Sequence, residues 1–369
     1  MDSTKTDNTA LYVDEKLKFG VRQEDQVPAP ADGELLIENH FSGVNPADVK
    51  HATQLGIYPA VLGYDFAGKV LKAPASSQFK QGTIVAGSTP TGLGRPAKYG
   101  AHQGYLACPE DMAFSVPENL PAHHAACMSV VAMTAADALY NIFEFPLPQD
   151  ASGATSPGGP LLIWGASSSV GICAVQFAHA SGVHPIFVTA SPARHALLQE
   201  LGATRCFDYR APDVVSDIKA ALTDAQKSSS GAAVHGLDTV GSESPKDDPK
   251  ANKSSAELLA LCLPPDAVLA SVVIQRDPRF KMPFATRSRD VTIRAPGVPH
   301  PITIPAQPAF ARRAGKAFSW AVENYGAGFR MPAVEVFEGN AEQALEAVKE
   351  AADHGRGFGK LVLKHPLRS

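Results

Sequence analysis

The run Gly165-Ala166-Ser167-Ser168-Ser169-Val170-Gly171 follows the apolar Leu161-Leu162-Ile163-Trp164. It leads into Val170, Cys173, Ala174, Phe177 and Ala178, spaced i, i+3, i+4, i+7, i+8. That order reads as strand, tight turn and amphipathic helix. A helix start offers unpaired N–H groups and the positive end of its dipole, and small residues let a pyrophosphate come close to the backbone. The pattern G-x-G-x-x-G is incomplete: Ala166 and Ser168 hold its first two glycine places, and only Gly171 remains. A nucleotide site of this kind sets an acid on the ribose ~20 residues after the turn. The chain has Ser191-Pro192-Ala193-Arg194-His195 there, with no acid. Ser191 and Arg194 suit a 2′-phosphate, and Tyr209 in Phe207-Asp208-Tyr209-Arg210 is placed to close over the adenosine. NADPH is the expected cofactor.

The elements that must hold these residues are visible in the pattern. The first ~120 residues give short strands cut by Gly and Pro, at 34–38, 65–70, 82–86 and 102–107, a compact β-rich unit. From about Ala125 helices alternate with apolar strands, at 161–164, 185–189, 203–207, 234–238, 267–273 and 291–294. This is the signature of βαβ units, and six strands suit a doubly wound parallel sheet. The tail returns to a helix at 341–352 and a strand at 359–363, expected to rejoin the first domain. The expected division is 1–125 with 300–369, and 126–299. The stretches 149–159 and 241–255 read as mobile surface loops without chemistry.

Composition excludes several classes. In 369 residues, 33 basic and 37 acidic side chains leave a net charge of -4 with no long block of one sign, so nucleic acid and anionic lipid are not expected partners. No apolar run approaches the ~20 residues that span a bilayer, and Met1 to Asn8 is polar, which points to the cytosol. Cys108, Cys127, Cys173, Cys206 and Cys262 form no C-x-x-C pair, and the twelve histidines form no H-x-x-x-H pattern. They read as buried thiols in a reducing compartment, with no metal site.

The first half supplies Gly43-Val44-Asn45-Pro46-Ala47-Asp48-Val49-Lys50 and Pro59-Ala-Val-Leu-Gly-Tyr64-Asp65-Phe-Ala-Gly-Lys-Val70. With the turn and the closing Gly359-Lys360-Leu361-Val362, these resemble the medium-chain dehydrogenases/reductases of the quinone-oxidoreductase type. The resemblance implies an α/β fold: a GroES-like β-rich catalytic domain plus a Rossmann doubly wound parallel sheet. More narrowly, Phe207 to Asp213, Phe145-Pro-Leu-Pro148 and the insert before the first Rossmann strand look like the fungal trans-acting enoyl reductases that serve polyketide synthases, the lovastatin enoyl reductase among them.

Zinc alcohol dehydrogenases of that superfamily carry a Cys where this chain has Asn45, and a His-Glu pair where it has Tyr64-Asp65. Oxidising a simple alcohol without a Lewis acid loses the usual means of stabilising an alkoxide. Delivering hydride to an activated C=C needs only placement and a hydrogen bond to the developing enolate. The expected reaction is therefore hydride transfer from NADPH to the β-carbon of an α,β-unsaturated carbonyl, then protonation at the α-carbon.

Asn45 and Lys50 are candidates to hydrogen-bond the cofactor or the oxyanion, Lys50 being otherwise a solvated ammonium. Tyr64 is read either as a proton donor, a task water could share, or as a partly buried aromatic with a satisfied hydroxyl. By resemblance, Ala47, Asp48, Val49 and Lys50 approach the nicotinamide end, as do Thr134, Cys262 and Leu263, while Lys360, Leu361 and Val362 close from the tail. Val131, Met133 and Thr134 are candidate substrate contacts, as are Val272, Val273 and Ile274 after the fifth strand. The substrate would be a small molecule or an enoyl chain on a carrier, with a polyketide synthase as partner. Two other readings stand beside this one: a general quinone or enone reductase, and an NADPH-binding protein with little turnover. Monomer and homodimer both stay open.

Overall fold

The computed structural model describes residues 8–24, 26–148, 159–228, 232–242, 253–355 and 358–368. The segments 149–158 and 243–252, expected above to be surface loops, and most of the polar start lie outside the described residues. The chain forms two compact units. The first comprises Met1–Val130, Thr286–Gln307 and Met331–Ser369, the second Val131–Ala285 and Pro308–Arg330.

The first unit begins with β1 (Asn8–Val13), β2 (Phe19–Glu24), β3 (Glu34–Gly43), helix α1 (Ala47–Leu55), β4 (Ala60–Val61), β5 (Asp65–Lys72), β6 (Ile84–Ser88), β7 (Tyr105–Pro109) and β8 (Ala113–Ser115). Alternation along β3 turns Leu35 and Ile37 inward, where they meet Phe66, Val70, Val85 and Leu106 in one core. The expected strands at 34–38, 65–70, 82–86 and 102–107 are thus β3, β5, β6 and β7, with ends shifted by a few residues. Short helices α2 (Ala122–Ala125) and α3 (Ser129–Ala136) follow.

The second unit holds β9 (Leu161–Trp164), α4 (Ser169–Ala180), β10 (Ile186–Ala190), α5 (His195–Glu200), β11 (Arg205–Asp208), α6 (Val214–Ser228), β12 (His235–Asp238), α7 (Ser255–Cys262), β13 (Val268–Ser271) and β14 (Phe280–Lys281). All pairings are parallel, in the order β11-β10-β9-β12-β13-β14. That is the doubly wound 3-2-1-4-5-6 arrangement. Every residue of β9, β10 and β12 is buried, as a sheet covered by helices on both faces requires. Helix α6 contributes the stripe Val214, Ile218, Ala221 and Leu222 to that cover.

The remaining elements are β15 (Val291–Ile293), β16 (Ile302–Ile304), α8 (Pro308–Glu323), β17 (Val334–Phe337), α9 (Ala341–His354) and β18 (Lys360–Lys364). Strand β18 pairs with β17 and β3, so the tail joins the first unit's large sheet. Helix α9 packs Ala344, Leu345 and Val348 with Leu11, Val13, Val49 and Ala52.

Two expectations are corrected. The strand at 291–294 is not the sixth Rossmann strand: β15 pairs antiparallel with β16, and Val291 and Ile293 pack on Ile57 in the first unit. Its in-out-in burial belongs to a half-covered antiparallel ribbon, and Phe280–Lys281 takes the sixth place. The return to the first unit is also not a single step near residue 300. Residues 286–307 sit with the first unit and 308–330 with the second. The cause is α8, which buries Ala314, Ala317 and Ala321 and sends Arg313 to the carbonyls of Tyr140 (2.8 Å) and Phe145 (2.9 Å). Those carbonyls lie within and just beyond the π-helical turn Asp137–Ile142.

Among the described residues no helix is long and apolar enough to cross a membrane. Replacing Arg313 by Ala should cost about 1.5–3 kcal/mol, the range for hydrogen bonds from a charged donor. Arg312→Ala, on the exposed side of the same helix, should stay within about 0.5 kcal/mol, both read from denaturant unfolding.

Candidate active site

The turn between β9 and α4 is held from both flanks. Gly165 N–H donates to Thr189 Oγ1 (2.9 Å) and Ala166 N–H to the Thr189 carbonyl (3.0 Å), while Thr239 Oγ1 donates to the carbonyls of Trp164 and Gly165 (2.9 Å each). Ser168 caps α4 by accepting from Gly171 N–H (3.0 Å). Gly165 has φ +82°, and a Cβ on Gly171 would stand 2.6 Å from Ala166 Cα, so both glycines are required by the backbone. Among the described residues the N–H groups of Ser167, Ser169 and Val170 keep no protein partner. They form the anion-binding end that a pyrophosphate fits.

At the end of β10, half-buried Ser191 starts the single turn Pro192–Arg194, and Arg194 is half-buried beside it. Tyr209 follows β11, is 47% exposed, and has the Arg210 guanidinium 5.4 Å from its ring centre. At the ends of β12 and β13, buried Asp238 accepts from Ser271 Oγ (2.9 Å) and from the N–H groups of Val240 and Gly241. Burial raises its carboxyl above the ordinary value. It fixes the segment in which Val272 and Val273 are half-buried and Ile274 is 48% exposed.

In the first unit, Gly43 of β3 pairs with Asp65 of β5, which brings Asn45 beside Asp65. Asn45 Nδ2 donates to Asp65 Oδ2 (2.9 Å) and its Oδ1 accepts from Lys360 Nζ (2.6 Å), which also reaches the Val44 carbonyl (2.7 Å). Asp65 Oδ1 accepts from Val130 N–H (2.9 Å). All three side chains are buried. A second buried chain runs from Asp48 Oδ2 to His102 Nε2 (3.0 Å), from His102 Nδ1 to Ser42 Oγ (2.8 Å), and from Ser42 Oγ to His365 Nε2 (2.7 Å). Burial pushes His365 down to about 3, so Nε2–H to Ser42, Ser42 O–H to His102 and Nε2–H to Asp48 is one consistent set of protons.

The candidate residues therefore divide. Lys50 lies half-buried on α1, and its ammonium has no protein partner among the described residues. Asn45 does not offer a free donor, as was expected of it: both ends of its amide are used inside the protein. Of its neighbours, Ala47 is half-buried, but Asp48 turns to His102 and Val49 enters the core. Tyr64 is 5% exposed, with its hydroxyl on His51 and Thr91. In the second unit Val131 and Thr134 are buried and Met133 half-buried on α3. Cys262 and Leu263 are packing residues with Leu162, Trp164 and Leu269, and Leu361 packs with α9, so these side chains are spent on the cores. Sequence reading passed over Thr189, Thr239, Asp238, His51 and Thr91, each of which acts through a partner distant along the chain.

Two family matches divide along the same line. Residues 31–118 match the alcohol dehydrogenase GroES-like domain and residues 169–248 the zinc-binding dehydrogenase family. Both halves of one enzyme pattern stand in order on one chain. In both, the chain is similar to the medium-chain dehydrogenase/reductase superfamily. It is 36% identical over 193 residues to the trans-enoyl reductase himH of Aspergillus japonicus, covering 51% of this chain and 56% of the relative. It is 33% identical over 224 residues to the dehydrogenase orf1 of Aspergillus niger, covering 58% and 64%. These alignments thus span somewhat over half the length of the curated relatives. In fold it is similar to the CurK enoyl reductase (TM-score 0.68, 18% identity, 97% of this chain and 99% of that one). It is also similar to mycobacterial Rv1454c complexed with NADPH (TM-score 0.65, 18% identity, 97% and 99%).

By the resemblance, zinc-dependent members of that superfamily carry their metal ligands at three positions of this first unit. Asn45, Tyr64 and Asp65 stand there, an ammonium already lies on Asn45, and among the described residues no three His, Cys, Asp or Glu side chains converge. All five cysteines are free, and burial pushes the Cys127 thiol up to about 12.

Lys360→Met would leave the Asp65 carboxylate buried without its cation, a loss of about 3–5 kcal/mol at neutral pH. Burial already lifts Asp65 from 3.8 to about 6, so its contribution is full below the ordinary value and is lost as pH rises through 6. The penalty of Lys360→Met should accordingly be larger at pH 8 than at pH 5 in urea unfolding. An equal loss at both would show that the Asp65 charge is not its origin.

Proposed function

We propose that the chain is an NADPH-dependent, zinc-independent reductase of the C=C bond in α,β-unsaturated carbonyl compounds, working in the cytosol on a polyketide or acyl chain presented by a polyketide synthase. The observation that carries the reading is the donor set of the first unit, in which Lys360, Asn45 and Asp65 satisfy one another where a catalytic metal would need open ligands. With no Lewis acid for an alkoxide, the chemistry left to the fold is hydride addition to an activated alkene. The similarity to himH, named a trans-enoyl reductase, supports that choice and the synthase as partner.

Bound NADPH would supply the hydride that adds to the β-carbon. The unpaired N–H groups of Ser167, Ser169 and Val170 hold the pyrophosphate, and Ser191 and Arg194 take the 2′-phosphate in the place where an acid would repel it. Tyr209 covers the adenosine. Lys50, with a half-buried ammonium free of protein partners, stabilises the negative charge that develops on the carbonyl oxygen. Val272, Val273 and Ile274 give the second unit an apolar margin for the chain being reduced.

The deciding assay is NADPH consumption with enoyl thioesters, a simple enone and a quinone, on protein of measured zinc content. Turnover of thioesters by zinc-free protein is expected. Preference for the quinone would move the reading to a general quinone reductase, and tight NADPH binding without turnover to a binding role. Arg194→Glu should weaken NADPH about 10- to 100-fold, the worth of a ~1.5–3 kcal/mol charged hydrogen bond, with NADH little changed. An unchanged preference would remove Arg194 from the phosphate site.

A further inference from the structure

Tyr64 sits just before β5, with its hydroxyl between two groups from other segments. Thr91 Oγ1 donates to it at 3.3 Å, and His51 Nδ1 stands 2.9 Å away. The His51 and Tyr64 rings meet edge to face with centres 5.3 Å apart, so the imidazole is fixed in orientation. His51 is more exposed than Tyr64, follows Lys50 on α1, and has no protein partner at Nε2 among the described residues. At the other end, half-buried Thr91 lines a polar cleft of about 470 Å³ shared with Arg95, Tyr99, Glu34, Arg289 and Asp290. Thr91 thus touches both the cleft and Tyr64, and Tyr64 touches His51.

We infer that Thr91, Tyr64 and His51 form a proton relay ending at His51 Nε2, which makes His51, and not Tyr64, the acid that protonates the α-carbon in the reaction proposed above. The inference rests on that reading. Thr91 gives its hydroxyl hydrogen to Tyr64, so the phenol proton is the one directed at His51 Nδ1, and the imidazole carries its own proton on Nε2. When the α-carbon takes that proton, a C–H bond forms and the N–H electron pair stays on Nε2. In the same step the phenol proton passes to Nδ1, the Thr91 proton to Tyr64 Oη, and a cleft water refills Thr91 and leaves as hydroxide. The imidazole is neutral before and after, and only its tautomer changes. Reversal of the three shifts, with Nε2 taking a proton from solvent, resets the chain.

The surroundings call for such a coupled step. Burial drives His51 down to about 4 against the pull of the Asp48 carboxylate, and the Arg95 guanidinium, 4.3 Å from the Tyr64 ring centre, adds to the lowering. A neutral imidazole alone is too weak an acid, but one refilled at Nδ1 as it loses Nε2–H is not. The same guanidinium steadies the negative charge that passes through the phenol oxygen. In this scheme His51 is catalytic, and Tyr64 and Thr91 position and resupply its proton.

The test uses the whole chain with 15N-labelled histidine, the His51 signals being assigned by their loss in His51→Gln. The expected state has a proton on Nε2 and a bare Nδ1; a protonated Nδ1 would overturn the relay whether or not any substrate turns over. Protonation is then followed as deuterium entry at the α-carbon of a simple enone in heavy water. Tyr64→Phe, Thr91→Val and His51→Gln should each slow it about 10- to 100-fold, at the low end of general-acid effects, with NADPH affinity unchanged. Residues that act as a unit are not additive, so Tyr64→Phe with His51→Gln should be no slower than His51→Gln alone. Multiplying losses, or none, would overturn the relay. Failure of the wild-type protein on every enone and thioester would instead overturn the proposed reaction, and the tautomer would still decide the relay's proton order.

Discussion

An ammonium and a carboxylate can stay in a protein interior only if each is neutralised and its remaining hydrogen-bonding capacity is used. Lys360 and Asp65 meet that condition through a third residue. Asn45 accepts from the one and donates to the other, and the leftover groups go to the Val44 carbonyl and the Val130 N–H. The consequence is topological. The four segments that must converge are the first residue of β18, the loop before α1, the start of β5 and the start of α3. Leu361 then enters the core and Val362 pairs with Gly43 because the strand is pinned one residue earlier. The position of α1, and with it of Lys50 and His51, follows from a charge pair that touches neither.

The second unit solves a different problem with neutral groups. Its turn must bring backbone close to a phosphate, so bulk is excluded at Gly171, and the strand ends on either side must hold the turn still. Thr189 and Thr239 do this with hydroxyls, one accepting from the turn and one donating to it. β-branched threonine suits a strand end, where its hydroxyl is fixed by a stiff χ1. Ser168 replaces the second glycine of the usual pattern without harm because it is the cap of α4, a position at which a side-chain oxygen is an asset.

Much of this was legible in the chain, for identifiable reasons. Strands β9, β10 and β13 are short and mainly apolar, and the turn follows β9 where an amphipathic helix begins, so the sheet and its phosphate end could be read locally. Segment 291–294 was legible as a strand but not as part of the first unit, since periodicity gives an element's type and not its partner. Helix α8 was hidden for the same reason: its small buried residues carry no label of destination. The polar site was the least visible part. Asn45 and Lys360 are 315 positions apart and Ser42 and His365 323, so no local pattern announces either contact. For Asn45 the sequence offered an amide that could face a ligand, and only the fold shows both its ends consumed. The remaining signal for His51 was its place after Lys50 on a helix whose other face is apolar.

Helix α1 joins these arguments. Asp48, Val49 and Ala52 are buried, and the carboxylate among them is tied to both the Asn45 N–H and His102, so the helix cannot rotate without stranding a charge. Lys50 and His51 are the residues left half-buried between those anchors. A long ammonium stem tolerates such a position at little cost, because its charge keeps access to solvent. An imidazole does not: it is held uncharged and must be oriented by a partner, which Tyr64 supplies. One helix thus carries a cation suited to a developing oxyanion beside a neutral ring suited to passing a proton. What keeps the two roles distinct is the desolvation of the imidazole, which holds it uncharged.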